Sequence, residues 1–228
     1  MRGLLFGSYI RSIGAKDSVK INGKNEFDFE RFEVFFKKNP SSRVVILGNQ
    51  GLSKEVFSVL ISLNLEYLEI AFIDKSDEHL LRKGDIAFLG MGSPIMRAQC
   101  FQKYTELLHF PILLHKSSMI GNEVTLGNGT FIQSGVSITT QVEIGKGCLV
   151  NMNSTIGHDV SIGDFTIINP GATLSGNVSI GTSVLIGANA TVLENISIGD
   201  GARIGAGAVV TKNVQEGQTV IGNPARPM

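Results

Sequence analysis

With 228 residues, 43% of them hydrophobic, the chain has room for two modules and a substantial core. Twenty Lys and Arg balance twenty Asp and Glu, so no net field surrounds it of the kind that draws a protein to nucleic acid or an anionic membrane. The two cysteines, Cys100 and Cys148, form no CxxC pair and imply no disulfide framework. With no apolar run near the length of a membrane span, the expectation is a cytoplasmic protein.

Residues 1–42 carry no assignable pattern beyond Phe27, Phe29, Phe32, Phe35 and Phe36, which predict an amphipathic helix after Asn25. From 43 to 114, strand and helix patterns alternate. RVVILG reads as a buried strand, GLSKEVFSVLISLN as a helix, LEIAFID and DIAFLG as further strands, and SPIMRAQCFQKYTELL as a second helix. The alternation implies a small parallel sheet, a Rossmann-like α/β domain. Its first turn, Gly48-Asn49-Gln50-Gly51, opens a helix whose N-terminal amides suit a phosphate. Gln50 and Ser53 stand where a dinucleotide fingerprint needs its second and third glycines. Asp74 ends the second strand, placed to accept hydrogen bonds from a sugar hydroxyl. A module this small is half of a dinucleotide fold, so a single nucleotide or a nucleotide-sugar is the better-sized ligand.

From residue 115 to 228 the governing feature is a period of six. Counting in sixes from Ile120 to Val210 meets an aliphatic residue at sixteen of sixteen positions, and the residue four further on, from Val124 to Val214, is always small or β-branched. An α-helix would drift off this register, so each hexapeptide is a short strand and a turn, one flat side of a parallel β-helix. Gly follows the aliphatic residue in nine of sixteen repeats, which a recurring corner with positive φ explains. Leu126, Ile144, Ile162, Ile180 and Ile198 are each followed by Gly, a second period of eighteen that makes three sides per coil. Between Ile120 and Gln215 the coils number about five, in a prism roughly 25 Å tall at the inter-strand spacing.

Of the four histidines, His79, His109 and His115 lie in or next to the α/β module and read as ordinary surface or core residues. His158 follows Ile156-Gly157 at a corner, with its side chain outward and Asp159 next to it. An imidazole oriented by a carboxylate suits a general base near neutral pH. One coil further on lies Gly176, whose N–H is placed to hold an oxyanion. Ala188 and Ala206, eighteen apart, stack on one edge, where their small side chains leave open space.

VNMNSTIGHDVSIGDFTIINPGATLSGNVSIG and the closing VIGNPARPM resemble the hexapeptide-repeat sugar acetyltransferases, among them UDP-4-amino-sugar N-acetyltransferases and sialic-acid O-acetyltransferases. The resemblance implies a left-handed β-helix and a homotrimer with active sites between neighbouring prisms. It also implies His158 as the base, Asp159 as its tuning acid and Asn151 as a residue that places the acceptor. Its nucleotide-sugar site maps to Gln50, Gly51, Leu52, Asp74, Lys75 and Gly90. Its acetyl-CoA contacts map to Ile167, Gly176, Ala188 and Ala206, with no metal. Leu52 stands where members often carry a histidine, a departure that bears on which sugar is chosen. The activity expected is acetyl-CoA-dependent N-acetylation of a nucleotide-linked amino sugar. Rival readings are a sialic-acid-type O-acetyltransferase, a carbonic anhydrase that the lone His158 in the repeats cannot supply with three ligands, and a sugar-binding assembly without catalysis.

Overall fold

The computed structural model of the protein describes residues 18–21, 43–63 and 69–228, and the phenylalanine-rich helix expected after Asn25 lies outside them. Four residues of the stretch left unassigned from sequence form strand β1, Ser18–Ile21. The α/β module follows as β2 (Val44–Leu47), α1 (Gly51–Ser62), β3 (Ile70–Ile73), a 3₁₀ turn over Lys75–Leu80, β4 (Ile86–Leu89) and α2 (Pro94–Tyr104). All three strands of its sheet are parallel, in the order β3-β2-β4. The central β2 is buried along its whole length, as an unbroken Val-Val-Ile-Leu run requires of a strand covered on both faces. Because the strands run one way, their C-terminal ends deliver Gly48, Asp74 and Gly90 to a single edge of the sheet.

From Leu113–Leu114 to Thr219–Ile221 the chain winds through about six coils of the left-handed β-helix type. The prism therefore extends past both ends of the run counted from Ile120. Two-residue strands stack in three sheets with an eighteen-residue register: Val150 on Ile168, Ile168 on Ile186, Ile186 on Ile204. The aliphatic row and the small row both point inward; Val150, Ile156, Ile168, Ala172 and Ala190 have no exposed surface. Polar members of the small row are satisfied within the core. Thr130 Oγ1 donates to the Gly145 carbonyl at 2.8 Å and Thr166 Oγ1 to that of Gly181 at 2.8 Å, so neither costs an unpaired buried group.

The glycines behind the aliphatic residues serve a different purpose from the one the repeat suggested. Positive φ occurs two residues later, at Asn153, Asp159, Asn177, Asn189 and Asn195 and at Gly129, Gly147 and Gly171. Short polar side chains tolerate that left-handed conformation, so glycine is not obligatory there. What excludes a side chain at Gly163 is the next coil: a Cβ would stand 2.6 Å from the Gly181 carbonyl carbon and 2.7 Å from Thr182 N. The recurrence of glycine reports backbone stacked on backbone.

One outer face of the prism is apolar, unlike the other two. Leu113, Phe131, Leu149 and Ile167 project from it into a buried cluster with Val44, Ile46, Leu60 and Phe88 of the module. Arg97 of α2 pins this joint. Fully buried, it donates to the carbonyls of Leu89 (3.1 Å) and Met91 (3.1 Å) in the module, and to Gly147 (2.6 Å) and Cys148 (3.1 Å) in the prism. Burial pushes the guanidinium down to about 10, which keeps it charged at neutral pH. β1 runs antiparallel to Val124–Gly127 and covers the first edge of one sheet; Arg226–Pro227 turns back along Thr219–Ile221 at the other end.

Candidate active site

Ile156 and Val160 point into the core, which turns the corner residues between them outward. Asp159 takes the left-handed conformation at φ 58°, which curls its carboxylate back to the preceding ring. His158 Nδ1 and Asp159 Oδ2 are 2.7 Å apart, with both side chains at least half exposed. A carboxylate only accepts, so Nδ1 donates, and in the neutral imidazole it is Nε2 that carries the lone pair. That nitrogen lies against the next coil: a Cβ built on Gly176 would stand 2.5 Å from Nε2 and 2.5 Å from Cε1. The Gly176 N–H has no backbone acceptor among the described residues. Gly157 completes the corner, since a Cβ there would stand 2.8 Å from Gly176 N. Sequence reasoning passed over Gly157, although its identity as the glycine directly before His158 was the available signal.

The structure groups the remaining predicted residues in two further places. Gln50, Gly51 and Leu52 begin α1, Asp74 and Lys75 follow β3, and Gly90 follows β4, all on the one sheet edge. Gln50 caps α1 without a side-chain bond, and no acidic residue occupies the first turn, so the amides at this end face outward unneutralised. Asp74 is held by Asn49 Nδ2 at 2.6 Å and by the Lys75 amide at 2.7 Å. Gly90 admits no side chain because a Cβ would overlap Ser53 Oγ, which bonds the Gly90 carbonyl at 3.1 Å. Leu52 packs on the cluster between module and prism, an apolar setting that accounts for a leucine there.

Asn151, Ala188 and Ala206 share the corner that precedes the one carrying His158; Gly207 N bonds the Ala188 carbonyl at 2.8 Å, so the two alanines are stacked. Asn151 is buried, and its Oδ1 accepts from Gln133 Nε2 at 2.9 Å. A strand, Thr155–Ile156, separates this corner from His158. Within one chain, therefore, the predicted base and oxyanion donor come together, while Asn151 and the stacked alanines occupy a neighbouring edge. Ile167 is elsewhere again, 1% exposed beneath the module, and its side chain meets no solvent.

The other candidate groups are engaged or inert. His115 Nδ1 pairs with Ser117 Oγ at 2.8 Å, and burial together with Lys116 pushes its pKa down. Burial pushes the thiols up, Cys148 to about 12 and Cys100 to about 11, which leaves neither as a thiolate nucleophile at neutral pH. Among the described residues no three His, Cys, Asp or Glu side chains cluster as metal ligands would, and no helix is long and apolar enough to cross a membrane.

The family model "Bacterial transferase hexapeptide (six repeats)" matches residues 141–176 and 177–212. No curated protein sequence matches the chain. Among solved structures, it is similar to WeeI from Acinetobacter baumannii AYE, with 27% identity and a TM-score of 0.77 over 82% of this chain and 100% of that one. It is similar to the acetyltransferase domain of PglB from Neisseria gonorrhoeae FA1090, at 26% identity and a TM-score of 0.75 over 82% and 99% of the two chains. PerB from Caulobacter crescentus, solved with CoA and GDP-perosamine, matches at 25% identity and a TM-score of 0.76 over 82% and 97%. Residues 141–212 thus carry the repeats of the bacterial hexapeptide transferases, and the chain is similar over most of its length to sugar acetyltransferases built on them.

Proposed function

We propose that the protein transfers the acetyl group of acetyl-CoA to the amino group of a nucleotide-linked amino sugar, with His158 as general base. The observation that carries this reading is the corner itself: His158 Nδ1 is 2.7 Å from Asp159, and its Nε2 lies against Gly176. The likeness to PerB, whose structure holds CoA and GDP-perosamine, supports the substrate class. The module, read as Rossmann-like, would take the nucleotide at the start of α1 and the sugar hydroxyls at Asp74.

In this mechanism the amine nitrogen attacks the thioester carbonyl carbon while His158 Nε2 removes its proton. The negative charge that develops on the carbonyl oxygen meets the Gly176 N–H. Collapse of the intermediate breaks the carbon–sulfur bond. The imidazolium returns its proton to the departing sulfur, giving an amide and free CoA with the base restored. A homotrimer would account for the division of the site: the His158 edge of one prism would face the Asn151–Ala188–Ala206 edge and the module of its neighbour.

Incubation with acetyl-CoA and a panel of nucleotide-linked amino sugars, GDP-perosamine among them, should add the mass of one acetyl group to an acceptor. An adduct labile to mild alkali would show an ester and replace N- by O-transfer. Removing general-base assistance of about 10²- to 10⁴-fold costs about 3–5 kcal/mol of transition-state stabilisation. His158→Ala should therefore lose most of its turnover while staying folded, and full turnover would refute the assignment.

A further inference from the structure

The carboxamide of Asn151 is oriented by a chain of side chains that begins on the module. Glu55, on the exposed side of α1 and one turn beyond Gln50–Leu52, places Oε2 at 2.7 Å from Gln133 Nε2. The same Nε2 lies 2.9 Å from Asn151 Oδ1. Gln133 is 3% exposed and Asn151 7%, so the second bond is made inside the protein. The stacking of the coils sets Gln133 directly beside Asn151, eighteen residues away, with Gln133 N donating to the Val150 carbonyl at 2.9 Å.

The direction of each bond follows from chemistry. An ionised carboxylate has no proton to give, so the end of the Gln133 amide facing Glu55 must be NH₂. That group has two protons: one goes to Glu55 and the other to the only atom within reach on Asn151, which must then be its oxygen. The Asn151 NH₂ is consequently turned away from Gln133. It has no hydrogen-bond partner among the described residues, whereas Asn151 Oδ1 is already occupied.

We infer that Glu55 and Gln133 are positioning residues that present Asn151 to the acceptor as a hydrogen-bond donor. Asn151 thus recognises an oxygen of the nucleotide-linked sugar, a hydroxyl or carbonyl, and does not accept from the attacking amine. The inference rests on the reading of Asn151 as a residue that places the acceptor. It also links the two modules functionally: the helix that would hold the nucleotide phosphate carries the carboxylate that sets the donor on the prism.

The first test needs no acceptor. In the intact protein, the Asn151 Nδ2 protons should exchange with solvent faster than the Gln133 Nε2 protons in nuclear magnetic resonance spectra of asparagine- and glutamine-labelled samples. In Glu55→Gln, which frees Gln133 to turn over, the difference should shrink. Equal protection of the two amides in the wild-type protein would overturn the orientation.

The second test uses whichever nucleotide-linked amino sugar gains an acetyl group in the panel above. Glu55→Gln, a surface change, and Gln133→Leu should each raise KM for that acceptor about five- to tenfold, the value of one hydrogen bond, and leave KM for acetyl-CoA unchanged. Glu55→Gln should add nothing in the Gln133→Leu background. Asn151→Asp should lose at least as much, because it still accepts from Gln133 but has nothing to donate. If Asn151→Ala raises acceptor KM and the Glu55 and Gln133 variants do not, the positioning chain is wrong and the reading of Asn151 stands. If Asn151→Ala leaves acceptor KM unchanged, both fall.

Discussion

Replacing Gly176 by alanine separates the chemistry of the His158 corner from its stability. The added Cβ would stand 2.5 Å from both Nε2 and Cε1 of His158, about 1 Å inside an ordinary carbon contact. Gly176 is not among the residues with positive φ, so alanine adds no backbone strain. The cheapest relief is rotation of the imidazole, which is 64% exposed and free to swing outward. That swing stretches the 2.7 Å bond to Asp159 and removes Nε2 from its place against Gly176. The loss should approach that of the base itself, at least about a hundredfold in kcat or about 3 kcal/mol. The melting temperature should move by less than about 2 °C. Release of the CoA thiol, followed with a chromogenic thiol reagent, measures the first, and thermal denaturation the second. In the His158→Ala background the same substitution should cost no further rate, since no ring remains to displace. Wild-type kcat in Gly176→Ala, or a full further loss in the double variant, would refute the placement of the ring.

Asp159→Asn preserves the left-handed corner, which asparagine occupies at four other corners of the prism, and removes the charge that orients His158. It should fall about ten- to a hundredfold in kcat at unchanged stability, measured by the same two assays. Arg97→Ala would leave the carbonyls of Leu89, Met91, Gly147 and Cys148 without their donor in the joint. At about 1 kcal/mol each, the cost of about 4 kcal/mol should split denaturant unfolding into two transitions, with the module ahead of the prism. Gly163→Ala meets the backbone of Gly181 and Thr182, which cannot retreat, and should cost at least about 2 kcal/mol. Gly201→Asn, at φ 65° with nothing within 4 Å, should cost less than about 0.5 kcal/mol. Chemical denaturation of the pair checks whether coil contact or corner conformation governs the glycines.

The prism was legible because its signal repeats. Sixteen aliphatic and sixteen small positions, each read independently, point to one geometry, and the eighteen-residue phase of Gly127, Gly145 and Gly163 announces three sides. The alternating strands and helices between Val44 and Tyr104 were legible for a similar reason: a buried parallel strand needs a continuous apolar run, and a helix a different period. The His158–Asp159 contact could be anticipated because the partners are adjacent in the chain, and the Gly176 contact because a strict repeat turns eighteen residues of sequence into one step of space.

What the repeat could not convey is which of three chemically similar edges meets what. The outward positions Leu113, Phe131, Leu149 and Ile167 are apolar where the other faces carry mostly Ser, Thr and Glu, but only the structure shows that the module covers them and leaves the Ile167 side chain buried. Glu55, Gln133 and Asn151 are separated by 78 and 18 residues, and only docking of α1 against the prism brings the first to the second. Arg97 likewise reads as one more helical arginine, because its carbonyl partners lie 6 to 51 residues away. By itself the sequence determined the coil, its register and the corner that carries His158, since these depend on local period and on stacking at constant spacing. Tertiary structure alone decided which face is covered, how Asn151 is turned and how the sheet edge at Gln50, Asp74 and Gly90 is held, since these depend on contacts between segments that no period relates.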